Sequence, residues 1–319
     1  MKDKISIIAG GTGQFGVYLS QFLLKKGYKI IITTRNVNLA RKKIPFKNKN
    51  LVLAKLNVLK KKEIEKLIFK YDPKLIFYFA SQSSPKVSFE KKKATLNSNY
   101  EGCKNFLEVI QKNKIDCKFI NATSSEIFSE TKKKINLKSI KKPISPYGKA
   151  KLMSFNKTKH FREKKKIKAY NAIIFNTESF LRKRDYLIPK ICIAAINAYK
   201  FNTKTAFGNL DVSREWNWCE EQVRYLTYFI NNKPQDFILS NGKPYTAKKM
   251  LNFAFKYFNL DFKKFVSYKK NLLRKKDFTL KHSDYISCLK RNNMIRKSKI
   301  YGKSLIHILI KYYLNEKRN

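Results

Sequence analysis

The chain has 319 residues, 43% of them hydrophobic and 14% aromatic, enough to bury a sizeable core and too apolar for a disordered basic tail. It carries 71 Lys and Arg against 22 Asp and Glu, a formal net charge of +49. Lysine flanks nearly every apolar segment and comes with many Asn, Ile, Phe and Tyr, which fits a compositional bias on solvated faces better than a nucleic-acid patch, although the charge still favours anionic ligands.

Residues 5–9 form a short apolar run ending in glycine, expected as a buried parallel strand. Gly10-Gly11-Thr12-Gly13-Gln14-Phe15-Gly16 follows, with G-x-x-G-x-x-G spacing, then a helix over 17–25 ending at Gly27 and a strand over 28–33. Glycines so placed allow a tight turn and bring backbone N–H groups against a pyrophosphate at a helix N-terminus. The second strand ends in Thr34-Arg35-Asn36 with no acid nearby. An acid there would bond a ribose 2′-hydroxyl, whereas an arginine accommodates a 2′-phosphate, so Arg35 favours NADP over NAD.

A strand over 51–58 puts Asn57 near the adenine edge. A helix over 62–71 leads to a strand over 75–79, which runs into Ala80-Ser81-Gln82-Ser83-Ser84, small residues that let a cofactor approach. A long helix is expected over 89–112, then a strand over 118–122 with Thr123, Ser124, Ser125 and Glu126 at its carboxyl end, where open α/β sheets bind ligands. A helix over 147–162 and a strand over 169–175 end at Asn176-Thr177-Glu178-Ser179. This alternation predicts an α/β fold with a Rossmann-like, doubly wound parallel sheet. Beyond about residue 177 the alternation stops. Helices are expected over 189–199, 222–231, 247–258 and 303–313, with a short strand over 236–239. The expected organisation is an NADP-binding Rossmann domain over 1–176 and a smaller, mainly substrate-binding lobe over 177–319, interleaved with it. No apolar run reaches the roughly 20 residues a membrane span needs, and the first is too short for a signal-peptide core. Cys103, Cys117, Cys192, Cys219 and Cys288 are dispersed with no C-x-x-C pair, which points to a reducing cytoplasm and away from a disulfide framework or a metal site.

The chemistry concentrates in A-T-S-S-E-I-F at 122–128 and S-P-Y-G-K-A-K at 145–151. Tyr147 and Lys151 are four apart and share one helix face. A lysine ammonium beside a phenol stabilises the phenolate and lowers the tyrosine pKa toward the working pH. Lys151 can also reach a nicotinamide ribose. Glu126 is the one carboxylate of this stretch placed to act as a base toward a carbon acid, and Ser124 can hydrogen-bond a carbonyl or alkoxide oxygen. Taken alone, Tyr-x-x-x-Lys also suits a surface pair on an ordinary helix. Arg214, beside Trp216 and Trp218, suits a clamp for a diphosphate, or the tryptophans belong to a structural β-hairpin.

G-G-T-G-Q-F-G-V-Y-L, A-T-S-S-E-I-F, S-P-Y-G-K-A-K, F-N-T-E-S and G-N-L-D-V-S-R-E-W together resemble the extended short-chain dehydrogenase/reductases, and within them the GDP-mannose 4,6-dehydratase family. The resemblance runs from Lys4 to about Gly242 and fades beyond. It implies an internal oxidation at C4 of a nucleotide sugar, loss of water across C5 and C6, and return of the hydride at C6, with Ser124, Glu126, Tyr147 and Lys151 as the catalytic set. It assigns Gly10, Gly13, Gln14, Phe15, Gly16, Arg35, Asn57, Ala80, Gln82, Tyr147, Lys151 and Arg182 to NADP. Ser125, Asn176, Asn209, Arg214 and Arg274 are the substrate-binding residues, with GDP-mannose as substrate and a homodimer or homotetramer as the assembly. The chain departs from the family pattern at Phe15, Asn57, Thr177, Phe180, Leu181, Pro189, Glu221 and Gln222, so the catalytic set is kept while the nucleotide-sugar clamp is altered. A 4-reductase or epimerase on the same fold would not require Glu126. A basic, Rossmann-like nucleic-acid-binding protein would require none of the catalytic set and would bind with a steep salt dependence.

Overall fold

A computed structural model of the chain describes residues 4–131, 133–273, 281–292 and 298–316. In chain order the elements begin β1 (Ile5–Ala9), α1 (Gln14–Lys25), β2 (Lys29–Thr34), α2 (Val37–Lys43), β3 (Leu51–Lys55), α3 (Lys61–Tyr71) and β4 (Leu75–Tyr78). They continue with α4 (Pro85–Glu90), α5 (Lys92–Leu96), a π-helical turn (Asn97–Glu101), α6 (Gly102–Lys112), β5 (Lys118–Ser124), a 3₁₀ turn (Ser125–Ile127), α7 (Pro146–Lys165) and β6 (Ala169–Ile174). After these come β7 (Thr177–Glu178), α8 (Leu187–Phe201), β8 (Thr205–Phe207), β9 (Ser213–Arg214), β10 (Asn217–Trp218), α9 (Cys219–Phe229) and β11 (Asp236–Leu239). The last are β12 (Tyr245–Thr246), α10 (Ala247–Lys256), β13 (Val266–Tyr268), α11 (Tyr285–Arg291) and α12 (Gly302–Asn315).

Two compact units result. The first comprises Met1–Ser129, Ser139–Ile174 and Val223–Leu239; the second comprises Glu130–Lys138, Phe175–Gln222 and Ser240–Asn319. The first is built on a seven-stranded sheet in the order β11-β6-β5-β4-β1-β2-β3, with every pairing parallel. Strands covered on both faces need apolar side chains on both, and Ile7, Ile8, Ile30, Ile31, Ile32, Ile76 and Phe77 are all fully buried. The order reverses between β1 and β4, the switch point beside which ligands bind in open α/β sheets. The α/β, Rossmann-like fold read from the sequence is therefore the fold observed. The second unit has its own core, in which α8, α10 and α12 bury Ile191, Met250, Phe255, Leu305 and Leu309 together with Trp216 and Trp218.

Four expectations change. The strand over 236–239, assigned to the C-terminal lobe, is the seventh strand of the main sheet, in register with β6 from Asp236 opposite Asn171 to Leu239 opposite Ile174. The helix expected over 89–112 is interrupted. Tyr78 Oη donates to the Ser98 carbonyl at 2.6 Å, and the wider π turn exposes that carbonyl to the buried phenol. β5 runs two residues further than expected, so Thr123 and Ser124 lie within the strand and only Ser125 and Glu126 pass beyond it. Finally, the segment over 207–218 is no hairpin: β9 pairs antiparallel with β12, and β10 pairs parallel with β7.

Candidate active site

The end of β5 and the start of α7 are drawn together by backbone contact. Ser145 caps α7, its hydroxyl accepting from Gly148 N at 3.0 Å, and Pro146 occupies the first helical position, where its missing N–H costs nothing. Tyr147 is thereby fixed in the first turn and Lys151 one turn later on the same face. A Cβ on Gly148 would stand 2.5 Å from the Glu126 carbonyl oxygen and 2.9 Å from Pro143 Cβ, so only glycine lets the helix approach the 3₁₀ turn that carries Glu126. That turn is capped by Ser124, whose Oγ accepts from Glu126 N at 3.2 Å. Ser124 and Ser125 are buried and Glu126 half-buried.

Lys151 is buried at 3% exposure. Its Nζ donates to the Ala122 carbonyl at 2.7 Å and lies 5.9 Å from the Tyr147 ring centroid. Burial pushes its amine down from the ordinary 10.5 to about 8, since an ammonium in a low-dielectric site has lost its hydration. A lysine with that value sits within reach of the working pH, as an acid–base partner of a phenol must.

The first unit also holds a loop set whose shape fits a dinucleotide. Gly10 has φ +77°, and a Cβ there would stand 2.5 Å from the Ala80 backbone. Gly13 differs: its Cβ would meet only the Gly10 carbonyl oxygen, at 3.8 Å, leaving open space before α1. The first turn of α1 has no side-chain cap and no acid, a setting in which the positive end of the helix dipole favours an anion. Gln14 and Phe15 begin the helix, and Phe15 packs on Phe79 at 5.8 Å between centroids. The Ala80–Gln82 loop is held by the π turn, with Gln82 N donating to Ser98 Oγ at 3.2 Å and Asn99 Nδ2 donating to the Gln82 carbonyl at 3.2 Å. Gln82 Nε2 donates to the Ser84 carbonyl at 3.0 Å, while Gln82 Oε1 is buried without a hydrogen-bond partner, an acceptor open to a ligand hydroxyl. Arg35 is exposed at the end of β2 and, among the described residues, pairs with no carboxylate. It opens on a cleft of about 840 Å³ that Asn57, Lys60 and Lys66 also line. Asn57 Oδ1 is already taken by its own turn, accepting from Leu59 N at 3.1 Å.

Predicted residues of the second unit are arranged differently. Arg214 is buried and donates to the Ser213 carbonyl at 2.8 Å. Asn209 is exposed, its Oδ1 closing a turn on Asp211 N at 2.9 Å. The Asn176 carbonyl accepts from Asn217 N at 2.9 Å and from Asn217 Nδ2 at 2.7 Å. Arg182 lies with its guanidinium 3.6 Å from the Tyr186 ring centroid and 3.7 Å from Glu178 Oε2. Glu178 is 2% exposed, and burial, only partly offset by Arg182, raises its carboxyl to about 7. Arg274 lies outside the described residues.

The family model for GDP-mannose 4,6 dehydratase matches residues 7–296. The chain belongs to the GDP-mannose 4,6 dehydratase family. GDP-mannose 4,6 dehydratase 1 of Arabidopsis thaliana is 30% identical over 287 residues, 85% of this chain and 79% of its own length. Among solved structures, UDP-glucose 4-epimerase of Thermus thermophilus in complex with NAD matches with a TM-score of 0.84 at 15% identity, over 98% of this chain and 99% of its own. The dTDP-glucose 4,6-dehydratase of Bacillus anthracis in complex with NAD matches with a TM-score of 0.83 at 15% identity, over 98% and 97% respectively. At that identity these two likenesses speak for the fold.

As a GDP-mannose 4,6 dehydratase family chain, it contains two site-building residues that motif reading passed over. Gly148 sets how closely the first turn of α7 approaches the Glu126 backbone, and its sequence signal is the glycine directly after the tyrosine. Asn121 precedes the reactive cluster on β5 and is fully buried among polar groups of α7. An asparagine set among Phe119, Ile120 and Ala122 of a buried parallel strand was its signal.

Proposed function

We propose that the chain is a GDP-mannose 4,6-dehydratase that uses NADP, converting GDP-mannose to GDP-4-keto-6-deoxymannose with loss of one water. The observation that carries this reading is the gathering of Ser124, Glu126, Tyr147 and Lys151 where β5 ends and α7 begins. A bound nicotinamide dinucleotide would supply the hydride acceptor for C4 and the donor for C6, with no net change in its own oxidation state. Tyr147, as phenolate, accepts the proton of the sugar 4-hydroxyl, and the Lys151 ammonium favours that phenolate. Ser124 Oγ orients the 4-oxygen. Once C4 is a ketone its neighbour C5–H is acidic; Glu126 takes that proton and passes it to the C6 hydroxyl, which leaves as water. A simple reductase would need no such carboxylate.

Gly10, Gly13, Gln14, Phe15 and Gly16 would hold the cofactor pyrophosphate, with Asn57, Ala80 and Gln82 along the adenosine and ribose, and Lys151 and Tyr147 at the nicotinamide ribose. NADP is favoured over NAD because Arg35, exposed just after β2 and unpaired with any described carboxylate, has the charge that suits a 2′-phosphate, and no acid stands beside it in the sequence for a ribose 2′-hydroxyl. Arg182 is a further phosphate ligand in this reading, and Ser125, Asn176, Asn209, Arg214 and Arg274 serve the nucleotide sugar. The enzyme works in the cytoplasm as a homodimer or homotetramer. Among the described residues no helix is long and apolar enough to cross a membrane.

The test is mass spectrometry of products formed from GDP-mannose and NADP in heavy water. Wild-type protein should give a sugar lighter by one water and carrying deuterium at C5. Glu126→Gln should give no dehydrated product, and Tyr147→Phe should lower turnover by about 10³-fold, within the range for a lost general acid–base group. Full dehydration by Glu126→Gln would overturn the assigned base and favour a reductase or epimerase.

A further inference from the structure

Helix α7 is held to the sheet by an unusual means. Its buried stripe includes Lys151, Ser154 and Thr158 alongside Tyr147, Ala150, Phe155 and Phe161. Three of those seven residues are polar, so apolar packing alone does not hold that face. Asn121, on β5 and 0% exposed, reaches them: its Nδ2 stands 3.1 Å from Thr158 Oγ1 and 3.3 Å from Ser154 Oγ. The hydroxyl protons are committed elsewhere. Ser154 Oγ donates to the Lys151 carbonyl at 3.0 Å, and Thr158 Oγ1 donates to the Ser154 carbonyl at 2.8 Å. Both oxygens are therefore acceptors toward β5, and the Asn121 amide N–H group is the donor that the strand offers them. This fixes which end of the Asn121 amide faces the helix.

The network extends away from the site in a consistent direction. Asn121 Nδ2 also donates to Asn171 Oδ1 at 3.1 Å. Asn171 Nδ2 in turn donates to the Phe155 carbonyl at 3.0 Å and to Asp236 Oδ1 at 2.9 Å. Arg162 Nη1 closes the circuit, donating to Asp236 Oδ1 at 2.8 Å. The chain of hydrogen bonds thus leaves α7 at Arg162, crosses β11, β6 and β5, and returns to α7 at the Lys151 carbonyl. Lys151 is held twice by consecutive strand residues: its Nζ by Ala122 and its backbone, through Ser154, by Asn121. Asn121 Oδ1, meanwhile, is buried with no partner, a cost an apolar residue would not carry. An apolar stripe tolerates small slides of a helix along a sheet, whereas a closed set of directional bonds does not.

We propose that Asn121 is a positioning residue for the reaction, fixing the register of α7 so that Lys151 and Tyr147 meet the end of β5. The inference rests on the dehydratase reading for its catalytic consequence and on geometry alone for its structural one. The experiment therefore has two arms. In the first, Asn121→Ala and Ser154→Ala are compared with wild type for kcat, KM and the pH profile of kcat on GDP-mannose. The expected result is a fall in kcat of about tenfold or more with KM little changed, as for a misplaced catalytic group, and a displaced pH limb in both variants. In the second, the protein without substrate is labelled with an amine-reactive ester, and the peptides carrying Lys151 and Lys281 are followed by mass spectrometry. Lys281 is 1% exposed and belongs to the second unit, so it reports opening that is not confined to α7. Both variants should label faster at Lys151 and unchanged at Lys281. Ser154→Ala keeps the helix and its packing, so it decides the matter if Asn121→Ala fails to fold. Wild-type labelling and an unmoved pH profile in folded Ser154→Ala would overturn the inference. If wild-type protein fails to dehydrate GDP-mannose, the function is wrong, and the labelling arm still judges Asn121.

Discussion

The end of β5 with α7 in the first unit and the segment from Asn209 to Trp218 in the second both carry motifs of the resemblance, yet they are built in opposite ways. In the first, regular elements of a rigid sheet hold Ser124, Tyr147 and Lys151 through a helix cap, a glycine contact and a closed set of hydrogen bonds. In the second, short strands and turns hold the residues, and the side chains are spent on the fold. Arg214 serves its neighbour's carbonyl, Asn209 closes its own turn, and the two tryptophans are core. Glu215, beside Arg214, is fully buried and accepts from Ser240 Oγ, Gly242 N, Ser283 N and Ser283 Oγ, tying three segments of the second unit together. The difference teaches that a reaction class can be carried by elements that tolerate little change, while recognition resides in loops that can be rebuilt. Six of the eight departures from the family pattern, Thr177, Phe180, Leu181, Pro189, Glu221 and Gln222, fall in the second unit, three of them in its helices α8 and α9.

The largest effect short of removing a catalytic group is expected at Gly148. Glycine→alanine there puts a methyl against the Glu126 carbonyl and Pro143, so the N-terminus of α7 must move away from the 3₁₀ turn. The expected outcome is a loss of kcat of about 10²-fold, the cost of displacing reacting groups by about 1 Å, with a stability loss of about 1–3 kcal/mol. Single-turnover kinetics and a denaturant melt separate the two. Unchanged kcat would mean that the close approach of α7 to the Glu126 backbone is incidental, and the contrast between the two regions would weaken.

A smaller and different effect is expected at Arg214. If the second region acts in recognition, Arg214→Lys should raise KM for GDP-mannose several-fold while kcat falls less, because a single ammonium cannot reproduce a bidentate guanidinium. A lower melting temperature with KM unchanged would make Arg214 a structural residue of its buried turn.

What the sequence disclosed follows the same division. Tyr147 and Lys151 were legible because helical spacing is local, and the glycine loop because strand, turn and helix are adjacent in sequence. The place of residues 236–239 was not, because β11 finds its partner β6 some 65 residues upstream, Asp236 opposite Asn171, and nothing in an aspartate followed by three apolar residues names a parallel partner. The break in the 89–112 helix depends on the Tyr78 hydroxyl, which reaches it from another element. The inward turn of Arg214 depends on a fold of short strands whose partners, β12 and β7, lie outside the motif. Asn121 was visible as a letter, but its meaning lay in Ser154, Thr158 and Asn171, three residues scattered over the next fifty.

The last expected effect is on stability against pH, and it separates the two units by sign. Glu178 of the second unit has its carboxyl raised from the ordinary 4.5 to about 7 by burial. Between those values the unfolded chain has released a proton that the folded chain keeps, so stability falls as pH rises through that window. Lys151 of the first unit has its amine lowered from 10.5 to about 8 by burial. Between about 8 and 10.5 the unfolded chain keeps a proton that the folded chain has released, so stability rises with pH there, and that contribution is lost as pH falls through 8. Glu178→Gln should therefore gain stability over wild type progressively from about pH 5 to pH 7, then hold a constant difference. Lys151→Met should be the more stable protein at pH 7 and lose that advantage above about 8. Chemical denaturation across pH 5 to 10 measures both. A flat difference for Lys151→Met would mean that the amine is hydrated in solution, and the tight hold of α7 on β5 would go with it.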